Sequence, residues 1–381
     1  MTTLTPGPFI WAAELITLLG IAARPSKYRR LLFLLVAPLC IYPMFLPKAA
    51  TSHDNYARTG RLISLLLVSS DFLVLTDVQN ELRLRNDKAS PHISQRSWWS
   101  RLKWAFQLRT SMRGVGWSFE PSPEHLGPRP PVRTRWEFII YQLIWTAFNS
   151  LALDLCVATA KTIPYFDGTG RETLATAPWP DKLLCWLYIA ISYHGLLVPF
   201  RIMTILSVGL GLSQPHEWPE LFGNPLDAYT VRRAWGRVWQ QSIRRILTVH
   251  ADFLAFKVFH LPRKGIVSRY FRLFASFFVS GLLHYMADCM ALRHTDSVCL
   301  RTFLLHACAI TFEDLVAEVA KRLGRPIVPT LVTRMVGRVW VVVWFSWCMA
   351  PWLTFIVSSG IIQDNPDLKV GTKVIEYIRS M

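Results

Sequence analysis

Residues 270–288 read YFRLFASFFVSGLLHYMAD. Taken to Met290, the stretch Tyr270–Met290 is 21 residues long and almost wholly apolar. A helix needs about 20 such residues to cross the hydrocarbon of a bilayer. His284 lies fifteen residues past Arg269, which at 1.5 Å per residue sets the imidazole roughly 22 Å along the helix from a basic connection. Ser280 and Asp288 stand at i−4 and i+4 and share its face. Gly281 beside it lets a neighbour approach closely. A neutral imidazole at that depth can take a proton from a hydroxyl, with Asp288 in reach to fix its tautomer. The same spacing also fits a core histidine satisfied by one neighbour, and spacing alone leaves both readings open.

The rest of the chain has the same character. Of 381 residues 52% are hydrophobic and 18% charged, with 16 Trp, 22 Phe and a mean hydropathy of +0.27. Soluble domains carry about 25% charge, so an ordinary water-soluble enzyme, a disordered chain and a disulfide scaffold are all disfavoured. Further apolar stretches are Phe9–Ala23, Leu31–Pro47, Leu62–Thr76, Trp136–Ala160, Leu183–Leu212, Thr302–Val319 and Val339–Ser359. With Tyr270–Met290 they make about eight transmembrane helices. The expected fold is all-α and polytopic, a single domain over residues 1–381, with interfacial and cytosolic connections at about 78–135 and 213–268. Leu183–Leu212 is too long for one straight span and holds Arg201, so it reads as one tilted helix or two. Phe9–Ala23 has no basic residue before it and no evident cleavage site, and is expected to stay as an anchor.

Lys and Arg number 42 against 25 Asp and Glu, a net charge of +17. With eight spans, the connections after the first, third, fifth and seventh hold 29 basic residues and the other side 11. That asymmetry places the basic side in the cytosol, with the endoplasmic reticulum as the expected membrane. The basic residues are spread over four loops and interleaved with Trp, which fits anionic lipid and speaks against nucleic acid. The seven Cys show no metal-ligand spacing and read as reduced thiols. No metal is expected.

Two connections look structured. Trp98, Leu102, Ala105, Phe106 and Leu108–Arg109 suggest an amphipathic interfacial helix. In the second, Val231, Ala234, Trp235, Val238, Trp239, Ser242, Ile243 and Ile246 recur at three and four, opposite Arg232, Arg233, Arg237, Arg244 and Arg245. This pattern predicts one continuous basic amphipathic helix. Other polar residues inside the apolar runs are Glu14, Asp71, Asp154, His194, Arg201, Arg272, His306, Glu313 and Asp314. Such residues are functional candidates by default, although most of these stand where helix ends or interhelical hydrogen bonds would use them.

Several motifs occur together in order: DFLVLTD (Asp71–Asp77), RGVGWSFEP (Arg113–Pro121), EWPELFGNP (Glu217–Pro225), RRAWGRVWQQSIRR (Arg232–Arg245), the His284 stretch and the pair Glu313–Asp314. In this the chain resembles the wax synthase-like branch of the membrane-bound O-acyltransferases, particularly fungal members of secondary-metabolite pathways. The resemblance implies acyl transfer from an acyl-CoA co-substrate to a hydroxyl, with no bound cofactor. It points to His284 as the general base, supported by Ser280 and Asp288. It also marks Gln240, after Trp239, where fungal relatives typically carry His. Gln240, with Gln241, would donate to the developing oxyanion, and Arg237 and Arg233 would meet the CoA phosphates. The fungal pattern implies acetyl-CoA and a lipophilic terpenoid or meroterpenoid alcohol. Rival readings are a long-chain wax ester synthase, a membrane transporter and a catalytically inert scaffold.

Overall fold

The computed structural model describes residues 6–46, 51–85, 87, 91–131, 134–169, 171–292, 295–364 and 369–380. Among them are eleven α-helices of ten residues or more: α1 Gly7–Ala22, α2 Leu32–Ile41, α3 Ser52–Ser70, α4 Trp98–Thr110, α5 Arg135–Lys161, α6 Cys185–Gly209, α7 Arg244–Phe253, α8 Ile266–Leu292, α9 Cys299–Arg322, α10 Leu331–Ser358 and α11 Val370–Ser380. The described residues hold no named strand, only an isolated bridge between Leu84 and Trp117. The chain is all-α as expected. Five segments are long and apolar enough to cross a membrane: Lys27–Phe45, Arg135–Lys161, Pro180–Gly209, Ile266–Leu292 and Leu331–Ser358. The other three expected spans are helical too, but α1 is only 16 residues long, while α3 and α9 carry more charge. The expected boundary residue Pro47 lies outside the described residues.

The chain divides into two compact units. The first contains residues 1–50, 54–122 and 242–307, and so α1, α2, most of α3, α4, α7, α8 and the start of α9. Its apolar core joins Ile10 and Ala13 of α1, Val36 and Cys40 of α2, Leu62 and Leu65 of α3, and Leu283 and Ala287 of α8. A second cluster packs Trp104 and Leu108 of α4 on Ile21, Phe72 and Trp117. The expected helix is present as α4, but its buried face differs from the expected one, since Trp98 and Phe106 are exposed. Its inward stripe is Arg101, Trp104, Ala105 and Leu108, spaced by three and four, and Phe106 faces out. Arg101 donates to the Ala22 carbonyl at 3.0 Å, and Arg109 clasps Glu14 with two bonds of 2.6 and 2.9 Å, which accounts for a carboxylate inside α1.

The second unit holds residues 51–53, 123–241 and 308–381. Helix α5 starts with a capping box, in which Thr134 accepts from Glu137 N–H and Glu137 accepts in return from Thr134 N–H. The long stretch 183–212 forms one helix, α6, with Pro199 inside it. Arg201 does not break that helix because its charge is met: it donates to Glu220 at 2.8 Å and to Gln142 at 2.6 Å. His194 is bonded to Asn149 at 2.8 Å. Asp154 accepts the Gly371 N–H at 2.6 Å and so ties α11 to α5.

One expectation fails. Residues 231–246 are not a single helix. A turn of α-helix at Val231–Arg233 passes into a π-turn at Ala234–Val238, the backbone becomes extended at Trp239, and α7 begins only at Arg244. The cause is competition for the helical carbonyls. The Val238 carbonyl accepts from Gly223 N–H at 2.9 Å, and the Gln241 side-chain amide donates to the carbonyls of Trp235 and Trp239 at 2.9 and 2.7 Å. These contacts offer the last helical carbonyls partners other than the next turn.

Candidate functional site

Helix α8 carries the first group of candidate residues. Ser280 and Asp288 are both buried, and His284 lies between them on the same side of the helix. The His284 ring stacks on Phe303 of α9, with centroids 5.0 Å apart and planes 19° from parallel. Gly281 allows this. A Cβ there would stand 3.0 Å from Phe303 Cβ and 3.1 Å from Leu300 Cδ1, so a larger residue would push the start of α9 away from the imidazole. Asp288 is fully buried and accepts from the Ser297 hydroxyl at 2.5 Å. Ser297 in turn accepts from Cys299 N–H at 3.2 Å, which ties Asp288 to the entry of α9. His306, one turn on from Phe303, is fully buried with Phe277 and Phe303 against it.

The second group lies on the interrupted segment 231–241 of the other unit. Three features fix its course. Glu313 of α9 accepts the backbone N–H groups of Val231 and Arg232 at 2.5 and 3.1 Å, and the Trp340 indole N–H at 2.9 Å. Asp314 pairs with Arg232 at 2.5 Å. Gly223 lies so close to the Arg237 carbonyl that any side chain there would collide with it. Glu313–Asp314 and the EWPELFGNP stretch therefore act as scaffolding for this segment. Trp239 packs edge-on against Phe222 with centroids 5.2 Å apart. Gln241 spends its amide N–H donors on Trp235 and Trp239, and Gln240 is the neighbouring residue in the same break. Arg233 pairs with Asp227 at 3.1 Å and lies over the Tyr229 ring, while Arg237 pairs with Glu124.

The structure thus gathers His284, Ser280 and Asp288 in one unit and Gln240, Gln241, Trp239, Arg237 and Arg233 in the other. Sequence reasoning named Asp71 among the polar residues of the apolar runs but missed the group it forms in the His284 unit. Asp71 is 1% exposed and accepts from Arg245 Nε at 2.7 Å and Nη2 at 3.0 Å. Thr76 donates to the same carboxylate at 2.5 Å, and its hydroxyl also accepts from Arg245 at 3.1 Å. The guanidinium lies 4.4 Å over the Phe119 ring. Three of the quoted motifs, DFLVLTD, RGVGWSFEP and the closing Arg pair, meet at this one ion pair. An Asp in an apolar run was the available signal, but its partner stands 174 residues away.

Residues 218–305, which contain both Gln240 and His284, match the family described as membrane bound O-acyl transferase. The chain is 31% identical over 360 residues to acetyltransferase eriL of Hericium erinaceus, covering 91% of this chain and 90% of that protein. It is 34% identical over 352 residues to acetyltransferase ple2 of Rhodocybe pseudopiperita, covering 91% and 89%. Acetyltransferase TRI7 of Fusarium sporotrichioides is 30% identical over 239 residues, covering 57% of this chain and 54% of that one. No solved structure matches the chain.

The buried ion pair gives a direct test. Asp71→Ala should lower stability by about 3–5 kcal/mol, because it strands the Arg245 charge. The double change Asp71→Ala with Arg245→Met should recover most of that loss. Melting curves of the detergent-solubilised proteins read both effects, and equal melting of wild type and Asp71→Ala would refute the role given to the pair.

Proposed function

The chain belongs to the membrane bound O-acyl transferase family, and from that premise we propose that it acetylates a hydroxyl of a lipophilic terpenoid or meroterpenoid, with His284 as the general base. It is an acyltransferase and an integral membrane protein, and an acyl-CoA is the co-substrate its relatives imply. The observation that carries the finer reading is the imidazole on α8, flanked by Ser280 and Asp288, inside the matched stretch of a chain whose relatives are named acetyltransferases.

In this reaction His284 takes the proton of the acceptor hydroxyl as its oxygen attacks the thioester carbonyl carbon. The new C–O bond forms, the C–S bond breaks, and the coenzyme leaves as thiolate. The imidazolium then returns its proton to that sulfur, which restores neutral His284. No covalent acyl-enzyme is needed. Asp288 holds the imidazole tautomer, with Ser280 beside it. Gln240 serves as an amide donor to the carbonyl oxygen as charge develops there. It cannot titrate, so its part is polarisation and not proton transfer. Gln241 and Trp239 support that amide. Arg233 and Arg237 meet the phosphates of the coenzyme by exchanging their present carboxylate partners.

The whole of residues 1–381 is read as one catalytic domain. The topology that supports this reading has eight spans, α1, α3 and α9 included, with the basic connections on the cytosolic face of the endoplasmic reticulum. Apolar residues exposed along α5 and α10, such as Trp136, Ile144, Val332 and Val339, suit contact with acyl chains.

Microsomes containing the protein should form esters from acetyl-CoA and members of a terpenoid alcohol panel, read by mass spectrometry. Esters only from palmitoyl-CoA and fatty alcohols would replace this reading with wax ester synthesis, and no ester from any pair would remove it. Single cysteines at positions 99 and 263 in a cysteine-free background should react with an impermeant maleimide in sealed microsomes, whose outer face is cytosolic, with no need to open the membrane. Labelling of both from the lumen would overturn the orientation.

A further inference from the structure

The connection between α1 and α2 carries Arg24, Lys27, Arg29 and Arg30 within seven residues. Lys27, Arg29 and Arg30 line a cavity of about 370 Å³ together with Thr76 and Asp77. Sites for small ligands run to roughly 300–1,000 Å³. Lys27 and Arg30 are exposed, but the Arg29 side chain is only 7% exposed. Its Nη2 donates to the Thr76 carbonyl at 3.0 Å and stands 3.7 Å from Asp77 Oδ1. Its Nε and Nη1 are buried and have no hydrogen-bond partner.

A charged donor taken out of water and left without an acceptor is costly. Nε–H and Nη1–H leave the guanidinium in different directions, so each is a single unmet donor, and the buried charge as a whole favours an anion in the cavity beside it. Asp77 and Glu81 offset two of the three positive charges, and the other Asp77 oxygen already accepts from Asn80 at 2.8 Å. The wall keeps an excess of positive charge. Its position favours phosphate over carboxylate. Tyr28 is exposed with the Lys27 ammonium 5.3 Å over its ring, and Leu31, Leu34 and Leu35 are exposed on the next turns of the span Lys27–Phe45. The cavity therefore stands where an apolar helix surface gives way to a basic connection, the level at which phosphate headgroups lie.

We propose that Lys27, Arg29 and Arg30 form a binding site for a phosphate ester, the chemistry shared by a phospholipid headgroup and the adenosine end of coenzyme A. Arg29 supplies a buried positive charge with unmet donors, and Lys27 and Arg30 supply attraction from the exposed side. The site rests on the geometry of this cavity and on no role of His284.

The test uses purified full-length protein in detergent and two probes, dihexanoylphosphatidylglycerol for the lipid and adenosine 3′,5′-bisphosphate for the coenzyme. Wild type should bind at least one of them saturably, and more weakly as salt rises. Arg29→Gln should weaken that binding about tenfold or more, and Lys27→Gln with Arg30→Gln several-fold at an unchanged melting temperature. Whichever probe responds identifies the source of the phosphate. His284→Ala should bind as wild type does, which separates this site from the fate of the catalytic reading. If Arg29→Gln does not fold, the exposed double variant decides. No saturable binding of either probe, or equal binding by wild type and the double variant, overturns the proposal.

Discussion

A polar side chain taken into an apolar interior has to bring its partner with it, because water is not there to replace one. That constraint governs this chain. Glu14 is inside α1 because Arg109 reaches it from α4. Arg201 is inside α6 because Glu220 and Gln142 receive it. Asp71 lies at the end of α3 because Arg245 and Thr76 converge on it. Each pair also locks a connection to a helix, so the interhelical segments are held by charge as much as by packing.

This explains how segments without regular helix can be so well placed. The stretch 231–243 has a short α-turn, a π-turn and an extended residue. Alone it would have no reason to keep that shape. Glu313 fixes its start, the Gly223 contact its middle, and the Gln241 amide its end. Gln240 sits in this clamped break. On α8 the logic is different. His284 is held by stacking on Phe303 and by a glycine that lets α9 come close, and Asp288 secures the turn into α9. In the proposed reaction a polarising amide and a proton acceptor each need a fixed position, which rigid surroundings supply.

The sequence was most informative where one element carries all the information. The apolar run 270–290 became α8 with Ser280, His284 and Asp288 on one side, whereas the run 183–212, left open as one helix or two, became a single helix. It was least informative where a contact distant in the chain decides. Periodicity of three and four runs unbroken through 231–246, yet the helix breaks, since Gly223 N–H claims the Val238 carbonyl from outside the run and the Gln241 amide claims those of Trp235 and Trp239 from within it. Asp71 looked like a helix-end residue because Arg245 is far off in sequence. The relatives bear out the class of reaction that the ordered motifs implied.

The central claim is that one imidazole removes the proton of the acceptor hydroxyl. The most direct measurement is the initial rate of ester formation by wild type and His284→Ala in microsomes holding equal amounts of membrane-embedded protein. The account predicts a fall of about 100-fold or more, the usual worth of a positioned general base. Equal rates in the two proteins would contradict it.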